Sequence, residues 1–299
     1  MDELAPQIAG GRYVLEGIIG HGGHSVIYRA ADKASAAAVA IKVLKTNVGQ
    51  GQDLARRLLR EQKALRALDG TGAVKVYGVT ATTRGAVCLV MELLEGRDLY
   101  DELVLREEAG EVITAGQMVS WLEPIVNTLE TAHDVGIIHR DLKPGNIFVT
   151  SAGAVRLLDF DLAYVAKSEP ITQAGMVLGS PSYIAPEVWK GNSSALDHRV
   201  DIYSLASIIF RVLTGRVPFE AGGDLVAMRR RVLGVERPSI NEWRPDLPPV
   251  VDGWVEQALA VNREDRFASV RAMWTALVRA LGTEGRAATV ASERQSGPR

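Results

Sequence analysis

Residues 139–161, HRDLKPGNIFVTSAGAVRLLDFD, constrain the fold more than any other stretch. Two short apolar runs, IFV and AVRLL, flank the turn former TSAG, which is the pattern of an antiparallel hairpin. In such a hairpin the start of the first strand lies beside the end of the second. Asn146 and Asp159 therefore meet at one end, two oxygen ligands of the kind Mg²⁺ takes. Asp141 sits on the loop entering the hairpin, and Lys143 follows two residues later. A carboxylate, a cation and two metal-suited oxygens converging at one hairpin end point to phosphoryl transfer.

Upstream, DLARRLLREQKALRAL places Leu54, Leu58, Leu65 and Leu68 on one stripe at helical spacing, with Asp53 as the expected N-cap and Gly70 past the end. Glu61 falls within that stripe. A carboxylate on a buried face needs a cation, and the strand VAIKVL supplies Lys42 among apolar neighbours. The residues admit two arrangements: a Lys42–Glu61 pair, or a Glu at the stripe's edge with a snorkelling Lys. Between two further strands lies GHGGHS, residues 20–25. Its glycines let the backbone approach a phosphate, although a plain hairpin turn has the same composition. No Gly-Lys-Ser/Thr follows, so it is not a Walker A loop.

The organisation is a β-rich lobe followed by a helical one. The segments MVSWLEPIVNTLETAHDVG, VDIYSLASIIFRVLTG, VDGWVEQALAV and VRAMWTALVRAL read as amphipathic helices. We expect an N-terminal extension over 1–11, a small lobe over 12–92, a large lobe over 93–281, and a polar, mobile tail over 282–299. Lys plus Arg number 34 against 36 Asp plus Glu, which offers no electrostatic case for nucleic acid. The N-terminus has no signal-peptide core, no apolar run approaches a membrane span, and the single cysteine, Cys88, fits a reducing compartment. The expected location is cytoplasmic.

At these residues the chain resembles the protein-kinase superfamily, and its bacterial serine/threonine branch in particular. The likeness runs from about Arg12 to Leu281. Val39-Ala40-Ile41-Lys42, the run His139-Arg140-Asp141-Leu142-Lys143-Pro144-Gly145-Asn146, Asp159-Phe160 and the stretch GSPSYIAPE over 179–187 carry it. The resemblance implies an α+β, two-lobed kinase fold with one key helix in the small lobe, and an ATP-dependent transfer of phosphate to serine or threonine hydroxyls of proteins, with self-phosphorylation of the activation segment.

It also implies roles. Lys42, held by Glu61, would grip the α- and β-phosphates. Asp141 would accept the substrate hydroxyl's proton, and Lys143 would steady the phosphoryl group. Asn146 and Asp159 would hold Mg²⁺, or Mn²⁺ in its place. Gly20, Gly22, Gly23, Ser25, Ile27, Ala40, Met91, Glu92 and Leu94 would surround ATP. Arg140 would meet a phosphate on the activation segment, with Thr172 first and Ser168 second as its bearer. Ser180 would reach Lys143 or Asp141. Glu187 would pair with Arg266, and Asp201 would accept backbone N–H groups of the catalytic loop. Protein substrates and a homodimer through the small lobe are the partners implied.

One position departs from the pattern: Asp161 stands where the family carries glycine. Aspartate tolerates left-handed backbone better than most residues, and Lys42, Glu61, Asp141, Asn146 and Asp159 are all retained, so an active enzyme is expected. A nucleotide-binding scaffold without transfer draws on Asp161 and Ser25. A small-molecule phosphotransferase shares the two aspartates and the asparagine, but Arg140, Lys143 and GSPSYIAPE set this chain apart from it.

Overall fold

The computed structural model describes residues 8, 11–22, 25–44, 51–83, 85–160, 181–191, 196–220, 222–234 and 236–282, with only the backbone described at 51–55 and 57. Gly23, Asp161, Ser168, Thr172 and Ser180 lie outside the described residues. The chain divides into two compact units, Met1–Gly96 and Arg97–Arg299.

The first unit is built on a five-stranded antiparallel sheet. Its strands are β1 (Tyr13–His21), β2 (Ser25–Asp32), β3 (Ala38–Leu44), β4 (Val76–Ala81) and β5 (Val87–Glu92), in the order β1-β2-β3-β5-β4. One sheet face closes over Ile8, Tyr13, Ala30, Val39, Ile41, Cys88 and Val90. Burial pushes the Cys88 thiol up to about 11, so it is an inert core side chain. Helix α1 (Gly51–Ala67) packs on β4 and β5. The expected stripe is the buried one: Leu58, Leu65 and Leu68 are at most 2% exposed. Asp53 is not the N-cap, because the helix begins at Gly51 and encloses it. Backbone hydrogen bonding carries the first turn through Gly51 and Gln52, and Gly51 is too weak a helix former to signal that start.

The second unit is mainly helical. Helices α2 (Leu99–Glu108), α3 (Ala115–Asp134), α4 (Pro186–Trp189), α5 (Arg199–Thr214), α6 (Leu225–Leu233), α7 (Val250–Ala258) and α8 (Val270–Ala280) follow in order among the described residues. Thr114 and Gln117 form a capping box that starts α3. Helix α5 is buried on nearly every side, from Val200 to Phe210 and at Val212 and Leu213, so it is the axis on which α3, α7 and α8 pack. It ends at Gly215, whose φ of 72° is the left-handed cap glycine permits. A small sheet, ordered β6 (Gly96–Asp98), β7 (Ile147–Thr150) and β8 (Val155–Leu157), completes the unit.

Candidate active site

Each unit carries its own group of the predicted residues. In the first, β3 holds Lys42 between Ile27 of β2 and Leu89 of β5. Its Nζ lies 2.9 Å from Glu61 Oε1, and both side chains are close to nine-tenths buried. The ion pair, rather than the snorkelling arrangement, is what forms: α1 lays Glu61 on its buried stripe and the ammonium neutralises it there. Ala40 and Met91 are cross-strand neighbours. Glu92 turns its carboxylate to the backbone N–H of Lys75, 2.8 Å away, while Leu94 is half-buried after it.

The glycine stretch is a tight link between β1 and β2. Gly20 pairs with Ile27, and Gly22 N–H donates to Ser25 O at 2.9 Å. A Cβ on Gly22 would stand 2.6 Å from Ser25 Oγ, so a larger residue here requires the Ser25 hydroxyl to turn away. Ser25 itself is buried.

The second unit assembles the loop read first in the sequence. Ile147 pairs with Leu157, and Leu158 N–H donates to Asn146 O at 2.8 Å, so Asn146 and the residue before Asp159 face each other at the hairpin's end. Lys143 Nζ lies 2.6 Å from Asp141 Oδ2. Asn146 Nδ2 donates to the backbone oxygen of Asp141 at 2.7 Å and approaches its Oδ2 at 3.2 Å. One carboxylate oxygen of Asp141 is thereby fixed by two donors, and among the described residues none donates to Oδ1. The same bonds point the Asn146 amide nitrogen at Asp141 and leave its carbonyl oxygen for another ligand.

Two of these positions are held in left-handed backbone: Arg140 at φ 68° and Asp159 at φ 46°. Such conformations cost about 1–3 kcal/mol and persist only where surroundings enforce them. Asp201, fully buried in the first turn of α5, is the enforcer at Arg140. Its Oδ1 accepts Arg140 N–H at 2.8 Å, and its Oδ2 accepts His139 N–H at 2.9 Å and His133 Nε2 at 2.8 Å. Burial alone would raise this carboxyl. The His133 bond, with the backbone N–H of Arg140, outweighs burial and holds the pKa below the ordinary carboxylate range. Arg140 presents a buried Nε without a hydrogen-bond partner among the described residues.

His139 anchors the chain just after β8. Its Nε2 donates to Leu158 O at 3.0 Å, and its ring packs on fully buried Phe160 at 4.7 Å between centroids. In the sequence His139 stands only as the first residue of the catalytic-loop run, and His133 has no assigned role. The available signal was their placement six residues apart on either side of an apolar run leading into the loop. Arg266, 4% exposed, grips Glu187 through both carboxylate oxygens at 2.9 and 2.7 Å, as expected.

Asn146 and Asp159 are the oxygen-bearing side chains expected to meet a hard cation, and no cluster of three His, Cys, Asp or Glu able to hold a metal occurs among the described residues. That fits Mg²⁺ held by few protein ligands and completed by phosphates and water.

A protein kinase domain profile matches residues 13–276. The chain belongs to the protein-kinase family. This kinase domain is 36% identical over 278 residues to serine/threonine-protein kinase PksC of Streptomyces coelicolor, covering 89% of this chain and 48% of that protein. It is 32% identical over 281 residues to pkn3 of Myxococcus xanthus, covering 91% and 50%. Over 263 residues it is 32% identical to PrkC of Bacillus subtilis, covering 88% and 39%. The chain thus spans about half the length of these relatives, or less. Among solved structures it superimposes on the Mycobacterium tuberculosis PknI kinase domain with a TM-score of 0.71 at 24% identity, covering 93% of this chain and all of that one. The five-stranded sheet unit and the helical unit are the two lobes of the kinase fold.

Proposed function

We propose that the chain is an ATP-dependent serine/threonine kinase acting on proteins. The carrying observation is the catalytic loop: Asp141 is fixed through Oδ2 by Lys143 and Asn146, and no described residue donates to its Oδ1, the oxygen that would meet a hydroxyl. A base oriented in this way takes the proton as the oxygen attacks phosphorus. The names of the relatives, each a serine/threonine-protein kinase, support the same reaction.

Lys42, steadied by Glu61, binds the α- and β-phosphates in this reading. Asn146 and Asp159 hold Mg²⁺ or Mn²⁺, which neutralises charge on the phosphates when bound. Ala40, Met91 and Leu94 border the adenine, and the glycine stretch of Gly20, Gly22 and Ser25 covers the phosphates with Ile27. Arg140, its Nε unpartnered, receives an activation-segment phosphate, for which Thr172 is the first candidate. Buried Cys88 fits a reducing, ATP-containing compartment such as the cytoplasm. Among the described residues no helix is long and apolar enough to cross a membrane.

The test is incubation of the purified protein with labelled ATP and Mg²⁺ or Mn²⁺, beside an Asp141→Asn variant, followed by phosphosite mapping. The expected outcome is label on serine and threonine, reduced about 10²- to 10⁴-fold in the variant. Nucleotide binding with no transfer under either metal would make the protein a scaffold and end this reading.

A further inference from the structure

Helix α6 carries three consecutive arginines, Arg229, Arg230 and Arg231, all exposed. The opposite face is fixed by Met228 and Val232, both fully buried. At about 100° per residue, Arg229 and Arg231 fall on the flanks and Arg230 points outward. Val226, 63% exposed, falls between Arg229 and Arg230. The flanking arginines are tied to main chain: Arg229 Nε donates to Trp189 O at 3.3 Å and Arg231 Nη1 to Glu220 O at 2.6 Å. Lys190, also exposed, follows Trp189.

The nearby carboxylates are committed elsewhere. Asp224 caps α6 by accepting Val226 and Ala227 N–H. Glu187 is held by Arg266, and Glu220 faces Arg216 at 3.8 Å. No carboxylate among the described residues forms an ion pair with these three arginines. The result is a patch of one sign with an apolar centre, in a chain whose net charge is −2. By contrast, the depression of about 990 Å³ beside α4 is lined by both signs, including Glu187, Lys190, Glu236 and Arg237, and selects neither.

Position gives the patch a use. Helix α6 packs on α4 and on the turn Pro181–Tyr183, which lies within the expected activation segment, Asp159 to Glu187. We propose that the Val226–Arg229–Arg230 face of α6 is a docking surface for an acidic, apolar-centred segment of the protein substrate, outside the phosphorylated site itself. This rests on the kinase reading above. Like charges that lack counterions inside the fold are complemented by an acidic partner, which raises encounter rate and selects against basic substrates.

The experiment uses an acceptor peptide copied from residues 166–178, joined through Gly/Ser linkers of about 5, 10 and 15 residues to Glu-Glu-Leu-Glu-Glu or to Gln-Gln-Leu-Gln-Gln. KM and kcat are measured separately, and binding of the fluorescein-labelled acidic peptide is followed by anisotropy without ATP. At one linker length or more, the acidic peptide is expected to show a KM about fivefold lower at equal kcat, an advantage that shrinks with salt. In Arg230→Glu the two KM values converge, while Arg230→Lys keeps the difference.

Equal KM values and equal anisotropy for both peptides in the native protein would overturn the docking surface while leaving the kinase reading intact. So would undiminished discrimination in Arg230→Glu. If neither peptide is phosphorylated, the kinase reading is what fails, and acidic-peptide anisotropy that depends on Arg230 still decides the surface. Displacement of that peptide by an equimolar single-stranded oligonucleotide would replace the acidic protein with nucleic acid and sink the proposal.

Discussion

At the scale of single residues, the Lys42–Glu61 pair separates stability from catalysis. Both side chains are about nine-tenths buried, so removing one partner strands a charge. Glu61→Ala is expected to destabilise the first unit by about 3 kcal/mol and to lower kcat/KM about 10²-fold, because Lys42 loses its anchor. Replacing both, Lys42→Met with Glu61→Leu, leaves no charge to strand. Stability returns to within about 1 kcal/mol of native, measured by urea unfolding, while phosphate transfer is lost with the Lys42 ammonium. If the double variant is as unstable as the single one, the pair has a packing role that its charges do not explain. This pair was legible because a carboxylate in an apolar stripe and a lysine in an apolar strand each demand a partner. The His133–Asp201 bond was not, because neither residue interrupts a pattern in its own helix. Their need for each other arises only when α3 and α5 pack.

Asp201 also gives the catalytic loop a pH dependence. Its folded-state pKa is depressed, so its contribution to stability is fully present above the unfolded value, about 3.9, and is lost as pH falls through the folded value. Asp201→Asn is expected to be less stable than native at pH 7, since an amide cannot accept from Arg140, His139 and His133 together. The gap should narrow steadily as pH is lowered from 5 toward 3. Urea midpoints of both proteins across that range check it, and a constant gap would show that the carboxylate's charge is immaterial.

Between elements, the tie that matters is Arg266 with α4. Besides Glu187, its guanidinium donates to Ala260 O at 2.9 Å and Arg199 O at 3.0 Å, and it lies 5.0 Å from the Tyr203 ring centre. One side chain thus joins α4, the start of α5 and the link after α7. The bonds demand a planar fork, so Arg266→Lys is not conservative. Both Arg266→Ala and Arg266→Lys should lower second-unit stability, the former by about 3–5 kcal/mol, read by chemical denaturation. A lysine variant of native stability would refute the fork argument. At this scale the long apolar helices could be read directly, and α5 ends at the glycine that sequence reading assigned to it. The start of α1 could not, because the cap signal at Asp53 falls inside a helix that already begins at Gly51.

At the scale of the molecule, the division into units follows the change from alternating strands to helical periods, which is why it could be read before any coordinates. What escaped reading is how the chain's first residues join the first unit. Ile8, alone among polar and small residues, has no periodic neighbour to signal burial. Yet it is fully buried, bridges to Tyr13 and Thr82, and belongs to the cluster holding Cys88 and Val90. Only tertiary packing reveals it. Ile8→Ala removes three carbons from a closed core and should cost about 2–4 kcal/mol. Every member of the cluster that Ile8 joins belongs to the first unit, so the loss should be local: amide exchange accelerates across β1 to β5 while α5 amides keep their protection. Hydrogen exchange followed by mass spectrometry reads both at once. Uniform acceleration in the two units would mean that they open together, and no acceleration in either would mean that Ile8 contributes nothing to the sheet it covers.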